Sequence, residues 1–203
     1  MSPGPTFDRV YTALKEQLLA GWWAPGAHLE PGVIGADLSA SVTPVRDALH
    51  RLVGERLVEA PRHDGFRVPT MTEAQLRELY GWSGELAALA LRRSRTVPSR
   101  SWAADAPPSD AGALVLALAT NAASAELVRA VASANDRLAA YRAVEAEAQS
   151  DLAWDMEPLH ACLRRDDTGQ LRRELTAHHK RRQRAVPRIL EARHRAGNPL
   201  LGR

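Results

Sequence analysis

Val10, Leu14 and Leu18 are spaced as one buried face of a helix, and the run Gly21-Trp22-Trp23-Ala24-Pro25-Gly26 ends that helix before Leu29. A second short helix is expected over residues 31–38, with Val33, Ile34 and Leu38 to bury. After the link Ser39-Ala40 comes Ser41-Val42-Thr43-Pro44-Val45-Arg46-Asp47-Ala48-Leu49, continuing to Leu52. Ser41 and Thr43 are N-capping residue types, Pro44 is tolerated in a first helical turn, and Val45, Leu49 and Leu52 fall on one face. This predicts a third helix whose start is exposed. Leu57-Val58-Glu59-Ala60 and Phe66-Arg67-Val68 look like short strands joined by Pro61-Arg62-His63-Asp64-Gly65. Three helices followed by a hairpin make a winged helix-turn-helix over residues 1–70.

Past Val68 the helical period continues with almost no strand signal, so residues 71–203 are expected to form an all-helical antiparallel bundle. Thr72 should cap a helix over about residues 73–94 that buries Leu76, Leu79, Tyr80, Leu86 and Leu89. Pro98, Pro107 and Pro108 make residues 96–108 a loop. A helix over 110–120 follows, and Ser124 caps a longer one with Leu127, Val131, Leu138 and Tyr141 on one face. Asp151 is expected to open the next, through Leu152, Met156, Leu159 and Leu163. The last begins at Asp167 with Leu171, Leu175 and His178, and Pro187 should bend or break it.

Charge changes this picture less than its sum suggests. The chain of 203 residues carries a net +3, but residues 1–70 hold seven bases against eight acids, a net of −1. The excess lies from Leu171 onward, where ten Arg and Lys face two Glu, a net of +8. Such a run is read first as a solvated helix face. The single cysteine, Cys162, permits no internal disulfide and suits a reducing compartment, and its expected role is as a small buried residue. The polar, Pro-rich start does not resemble a signal peptide, and no apolar run approaches a membrane span, so a cytoplasmic protein with no membrane partner is expected.

The chemistry lies at the start of the third helix. Ser41, Thr43, Pro44 and Arg46 sit in or beside its first turn, where hydroxyls, orphan backbone N–H groups and a guanidinium can meet phosphates and base edges. A helix entering a DNA major groove by its N-terminus needs this arrangement.

Gly26 with Leu29, the run Ser41 to Leu49, Leu52, Leu57-Val58 and Gly65-Phe66-Arg67-Val68 together resemble the DNA-binding domain of GntR-family transcriptional regulators. The resemblance implies groove contacts for Ser41, Thr43 and Arg46, and wing contacts for Arg62, His63, Gly65 and Arg67. Two departures stand out. The family usually carries an arginine where this chain has Val42, and some relatives carry a basic residue near Gly32. An arginine paired with guanine is worth roughly 1 to 3 kcal/mol of discrimination, so a modest affinity or an unusual operator is expected.

The helical part resembles the FCD effector domain of the FadR-like branch, through Glu85, the Leu-rich segment before Ser124-Ala125-Glu126-Leu127, and Asp167 through His178. The region from Thr96 to Pro108 is shorter than two family helices need. In many relatives such a bundle binds a small carboxylate through an Asp and three His around a divalent metal. Here Asp110 lies within a residue of the family's aspartate, Val115 and Met156 replace two of the histidines, and His178 remains, with His160 one turn beyond Met156. One imidazole and one carboxylate are too few for a transition metal, so no metal or other cofactor is expected. Either the cavity keeps its volume and takes a more apolar, metal-independent effector, or it has closed and the domain only dimerises.

No Gly-rich loop, His-Glu-x-x-His or Gly-x-Ser-x-Gly motif is present, so an enzyme is not expected. The expected function is a homodimeric regulator, more often a repressor in this family, bound to a palindromic double-stranded operator. The alternative is an effector-independent dimeric DNA-binding protein with a degenerate pocket.

Overall fold

The computed structural model describes residues 5–62, 64–94, 110–152 and 156–196, and these are mostly helical. They fall into two compact units. The first comprises the chain up to Met71 together with 139–144 and the residues from Ala192 onward, and the second comprises Thr72–Leu138 and Glu145–Glu191. The stretches 139–144 and 192–196, read from sequence as parts of the helical domain, therefore cluster with the first unit.

In the first unit α1 (Pro5–Leu19) and α2 (Pro31–Asp37) pack on α3 (Val42–Gly54). Val10, Leu14, Leu29, Val45, Leu49, Leu52, Val58 and Phe66 are buried in one apolar cluster. Removing one of these leucines costs about 2 to 5 kcal/mol, because the site cannot fully collapse around the void. The turn between α2 and α3 is tight. Ala40 N–H donates to the Gly35 carbonyl at 2.8 Å. A Cβ at Gly35 would sit 2.7 Å from the Ala40 carbonyl oxygen, so only glycine fits the turn. Arg9 donates from Nη1 to the Leu38 carbonyl at 2.7 Å, satisfying an orphan acceptor at the end of α2.

Two expectations fail here. Val33 is 60% exposed rather than buried, because Ile34 and Gly35 supply the face of α2 that turns inward. The wing forms no strands among the described residues; Arg67 instead makes isolated antiparallel bridges to Glu59 and to His28. The Glu59 and Arg67 backbones exchange both hydrogen bonds, at 2.8 and 2.9 Å, while Leu29 N–H donates to Phe66 and Val68 N–H to Ala27. Pro61 and Pro69 bracket this ladder, and proline cannot donate to extend it. The pairing is real but too short to be a sheet.

The second unit begins with α4 (Glu73–Arg93), which packs on α5 (Ala111–Asn121). A reciprocal capping box opens α4: Gln75 N–H donates to Thr72 Oγ1 at 3.2 Å, and Thr72 N–H to Gln75 Oε1 at 2.8 Å. Asp110 caps α5 and Ser124 caps α6 (Ala125–Arg142). Then come α7 (Glu145–Ala148), a 3₁₀ turn at Ser150–Leu152, α8 (Met156–Arg165) and α9 (Thr168–Arg195), the last capped by Asp167 Oδ1. Leu76, Tyr80, Leu114, Leu118, Leu138, Leu159, Leu171 and Ile189 are fully buried; Leu89, expected among them, is half-buried.

The helix expected from Asp151 begins instead at Met156, since residues 150–152 are spent in the 3₁₀ turn. The loop read over 96–108 lies outside the described residues. Pro187 does not break α9, which is helical to Arg195. Proline at 187 leaves the Gln183 carbonyl without its usual i+4 donor. Arg77 Nε donates to that carbonyl at 3.3 Å, and the Gln183 amide donates back to the Arg77 carbonyl at 3.4 Å. A neighbouring helix thus supplies the partner that proline removed.

Candidate nucleic-acid interface

The start of α3 is built to leave its polar groups unused. Ser41 is the N-cap residue, with extended backbone (φ −72°, ψ 164°), yet its hydroxyl caps nothing. An N-cap hydroxyl accepts from the N–H two or three residues on, and the third position here is Pro44, which has none. Ser41, Val42, Thr43 and Arg46 are all exposed, whereas Val45, Ala48, Leu49 and Leu52 are buried and fix the helix to the unit. Arg46 has no hydrogen-bond or ion-pair partner among the described residues. Pro44 is half-buried and contributes helix geometry rather than a polar group. The first turn therefore presents two hydroxyls, free backbone N–H groups and one guanidinium, with the positive end of the helix dipole behind them.

The other end of α3 is held by Glu55. Tyr11 Oη donates to Glu55 Oε1 at 2.7 Å, Lys15 Nζ pairs with Oε2 at 2.8 Å, and Arg51 stacks on the Tyr11 ring at 3.9 Å. Partial burial alone would raise the Glu55 pKa; hydrogen bonds from Lys15 and Tyr11, with the charges of Lys15 and Arg51, outweigh it and hold the carboxyl below its ordinary 4.5. The same burial and the Glu55 contact push the Tyr11 phenol up.

On the wing side, Arg62 is exposed and makes no polar contact among the described residues. Gly65 lies at φ +63° with open space where a Cβ would project, a conformation that glycine adopts without strain. His63 lies outside the described residues. Arg67, expected as a wing contact, is paired with Glu59 at 3.0 Å and with Asp64 at 3.6 Å. Its guanidinium braces the wing; among the described wing residues Arg62 and the Gly65 backbone are uncommitted. Two exposed apolar residues stand out in the helix-turn-helix: Val33 on α2 and Val42, 47% exposed, at the tip of α3.

Asp110 is occupied in capping α5, accepting from Ala113 N–H at 2.9 Å; Val115 is buried on α5; Met156 and His160 are half-buried on α8. Among the described residues no group of three or more His, Cys, Asp or Glu is placed to hold a metal ion. His178 is buried beside Arg182, whose Nη1 lies 3.1 Å from the imidazole Nδ1. A guanidinium only donates, so Nδ1 accepts and the ring proton sits on Nε2.

Arg182 itself continues a buried polar chain that the sequence reading missed. Its Nε pairs with Glu145 Oε2 at 2.8 Å, its Nη2 donates to the Leu152 carbonyl at 3.0 Å, and Tyr80 Oη donates to Glu145 Oε1 at 2.7 Å. The basic tail is thus not uniformly solvated: Arg182 and Arg193 are 5% and 3% exposed. Arg193, in the first unit, donates to the Trp23 carbonyl. A readable signal existed for Arg182, which falls in the stripe Leu175, His178, Val186, Ile189 that is otherwise the buried face of α9.

A buried three-helix unit with a helix-turn-helix and an exposed, unspent recognition-helix start defines a DNA-binding domain. Residues 6–68 match the family model described as bacterial regulatory proteins, gntR family. The chain is 28% identical over 95 residues to the HTH-type transcriptional repressor GlaR of Escherichia coli strain K12, and 36% identical over 92 residues to the HTH-type transcriptional regulator McbR of the same organism. These matches cover 47% and 44% of this chain but only 43% and 42% of the relatives, so the chain spans less than half the length of the curated relatives it matches.

Solved structures extend the likeness in fold alone. E. coli McbR/YncC superposes with a TM-score of 0.64 at 20% identity, over 91% of this chain and 98% of that one. A GntR-type putative transcriptional regulator from Rhodococcus sp. RHA1 superposes with a TM-score of 0.71 at 18% identity, over 89% and 97%. Among the described residues no helix is long and apolar enough to cross a membrane.

Proposed function

We propose that this protein is a sequence-specific transcriptional regulator that binds double-stranded DNA as a homodimer and acts as a repressor. The observation that carries the reading is the first turn of α3, where Ser41, Thr43 and Arg46 are exposed and Ser41 is kept from capping by Pro44. Arg62, His63, Gly65 and Arg67 are the proposed wing contacts, and among the described ones Arg62 and the Gly65 backbone carry no other commitment. One recognition helix spans only a few base pairs, so a two-fold dimer on half-sites about 34 Å apart, or at a related spacing, is the economical way to reach useful specificity.

The helical unit is proposed as a shortened FCD-like dimerisation and effector domain. With Asp110 capping a helix and His178 holding Arg182, control through it does not use a divalent metal at these residues. An effector can act only by binding one placement of the two recognition helices better than another.

The test is fluorescence-anisotropy titration of the full chain against the DNA upstream of its own coding sequence, at low and high salt, beside Arg46→Ala. Saturable, salt-sensitive binding that a scrambled duplex does not reproduce and that Arg46→Ala loses supports the reading. Binding indifferent to both sequence and Arg46 overturns it.

A further inference from the structure

The outward side of α3 continues beyond Arg46. Val45, Ala48, Leu49 and Leu52 are buried on one side of the helix, and the line most nearly opposite them carries Thr43 and His50, both exposed. Seven residues are close to two full turns, so His50 stands about 10 Å further along the same line as Thr43. Gly54, one turn on, is exposed and brings no side chain to cover the imidazole.

The ring is held from the wing. It meets Phe66 edge-on, with centroids 4.9 Å apart and planes at 75°. Phe66 is buried in the core of the first unit and lies between Gly65 and Arg67. Neither nitrogen of His50 has a hydrogen-bond partner among the described residues. The buried histidines of α9 differ: His178 meets Arg182, and His179 meets Ser83 and the Leu175 carbonyl. His28 is exposed too, but it lies outside α3. Two charged neighbours of opposite sign stand one turn back on α3, Arg46 at i−4 and Asp47 at i−3. Arg51 lies on the Tyr11 ring and pairs with Glu55 at 3.4 Å, and on the wing Arg67 is paired with Glu59 and Asp64. These charges offset one another, so a proton gained by His50 adds a new positive charge to this face.

With the start of α3 in a major groove and the wing turned to the neighbouring minor groove, the strand of phosphates that divides the two grooves must cross the junction of α3 and wing. His50 occupies that junction. We infer that His50 is a DNA-backbone contact, donating from its imidazole to a phosphate of the dividing strand and holding it most strongly as the imidazolium. A hydrogen bond from a charged donor is roughly twice as strong as a neutral one, so protonation tightens the contact. The contact sets register and adds affinity without reading sequence. It rests on the reading of this chain as a DNA-binding regulator and adds to it a residue outside the first turn of α3.

The test is fluorescence anisotropy of the full chain on two duplexes, one selected from a randomised pool and one scrambled, over a salt series at pH 5.5 and pH 8, an interval in which imidazoles gain a proton. His50→Gln, His50→Lys and Arg46→Ala are compared with wild type, and melting curves verify that each folds. At pH 5.5 His50→Gln should bind both duplexes about three- to tenfold more weakly than wild type, and the gap should narrow at pH 8. The wild-type slope of log affinity on log salt should be steeper by about one at pH 5.5 than in His50→Gln, the signature of one further phosphate neutralised. His50→Lys, charged at both pH values, should keep the tight binding at pH 8. Equal binding by wild type and His50→Gln overturns the proposal, as does a loss confined to the selected duplex, which would make His50 a base reader. Binding that needs Arg46 but ignores His50 overturns this contact alone, whereas no salt-sensitive binding of wild type to either duplex overturns the DNA-binding reading with it.

Discussion

Replacing Glu145 with Ala should be the most damaging single change in the second unit. Its carboxylate and the Arg182 guanidinium are 2.8 Å apart with side chains 8% and 6% exposed, so neither is rehydrated when the other is removed. Breaking such a pair costs about 3 to 5 kcal/mol, because an uncompensated charge stays buried. Tyr80 Oη also loses its acceptor, which adds roughly 1 kcal/mol. At about 2 to 4 °C per kcal/mol for a chain of this size, the melting temperature should fall by roughly 10 °C or more. The pair itself is worth far less than that figure. Glu145→Leu combined with Arg182→Met removes both charges and fills the space, and should cost less than Glu145→Ala; what remains is the lost partners of the Leu152 carbonyl, the Tyr80 hydroxyl and His178 Nδ1, at about 1 kcal/mol each. Melting curves by far-ultraviolet circular dichroism on wild type, both single variants and the double complete the cycle. A loss under about 1 kcal/mol for Glu145→Ala, or single losses that simply add in the double, would refute the argument that burial sets the cost.

Glu55 gives the first unit an acid-sensitive component. Its folded-state pKa is depressed, so its contribution is complete above the ordinary 4.5 and is lost as pH falls through the lower folded value. Denaturation midpoints should therefore decline below about pH 4.5 in wild type, and this part of the decline should be missing in Glu55→Gln. Val42 offers a methyl-sized apolar contact where a guanidinium would pair with guanine. Selection from randomised duplexes should favour thymine at the facing position, and Val42→Arg should shift the preference towards guanine by roughly 1 to 3 kcal/mol; an unchanged site would show that Val42 does not face a base. Cys162 is buried, and burial foremost, then the charges of Glu174 and Asp167, push its thiol pKa up despite Arg165 and Arg173. A thiol reagent should modify it only as fast as the protein opens, and rapid modification of the folded chain would contradict this.

The helix-turn-helix was legible because its signals are local. The breaker run after α1, the stripe Val45, Leu49 and Leu52, and Pro44 in the first turn each act within a few residues. What local pattern could not reveal was competition between neighbours. Pro44 both favours the helix start and disarms Ser41 as a cap, so capping type and capping act diverged. Pro61 and Pro69 truncated a ladder that the β-branched and aromatic residues between them favour. Glu145 and Arg182 lie 37 positions apart, and their pairing is fixed by packing that no window contains. The pocket assignment was carried by register alone. Register placed Val115 on α5 and Asp110 at its start, but could not show that Asp110 accepts from Ala113 N–H or that the Arg182 guanidinium lies against the imidazole of His178.

The membership of Arg193 in the first unit bears on how such proteins can be recombined. A reading head that ended at Met71 could be transplanted onto any helical body as a cassette. This one takes a guanidinium from near the far end of the chain to satisfy the Trp23 carbonyl, in the breaker run that leads into the helix-turn-helix. A chimera joined at residue 71 inherits that carbonyl without its donor. Exchange of domains between relatives is therefore a matter of matching two ends of the polypeptide at once, and a graft that keeps the last turn of α9 should express better than one cut at the evident boundary.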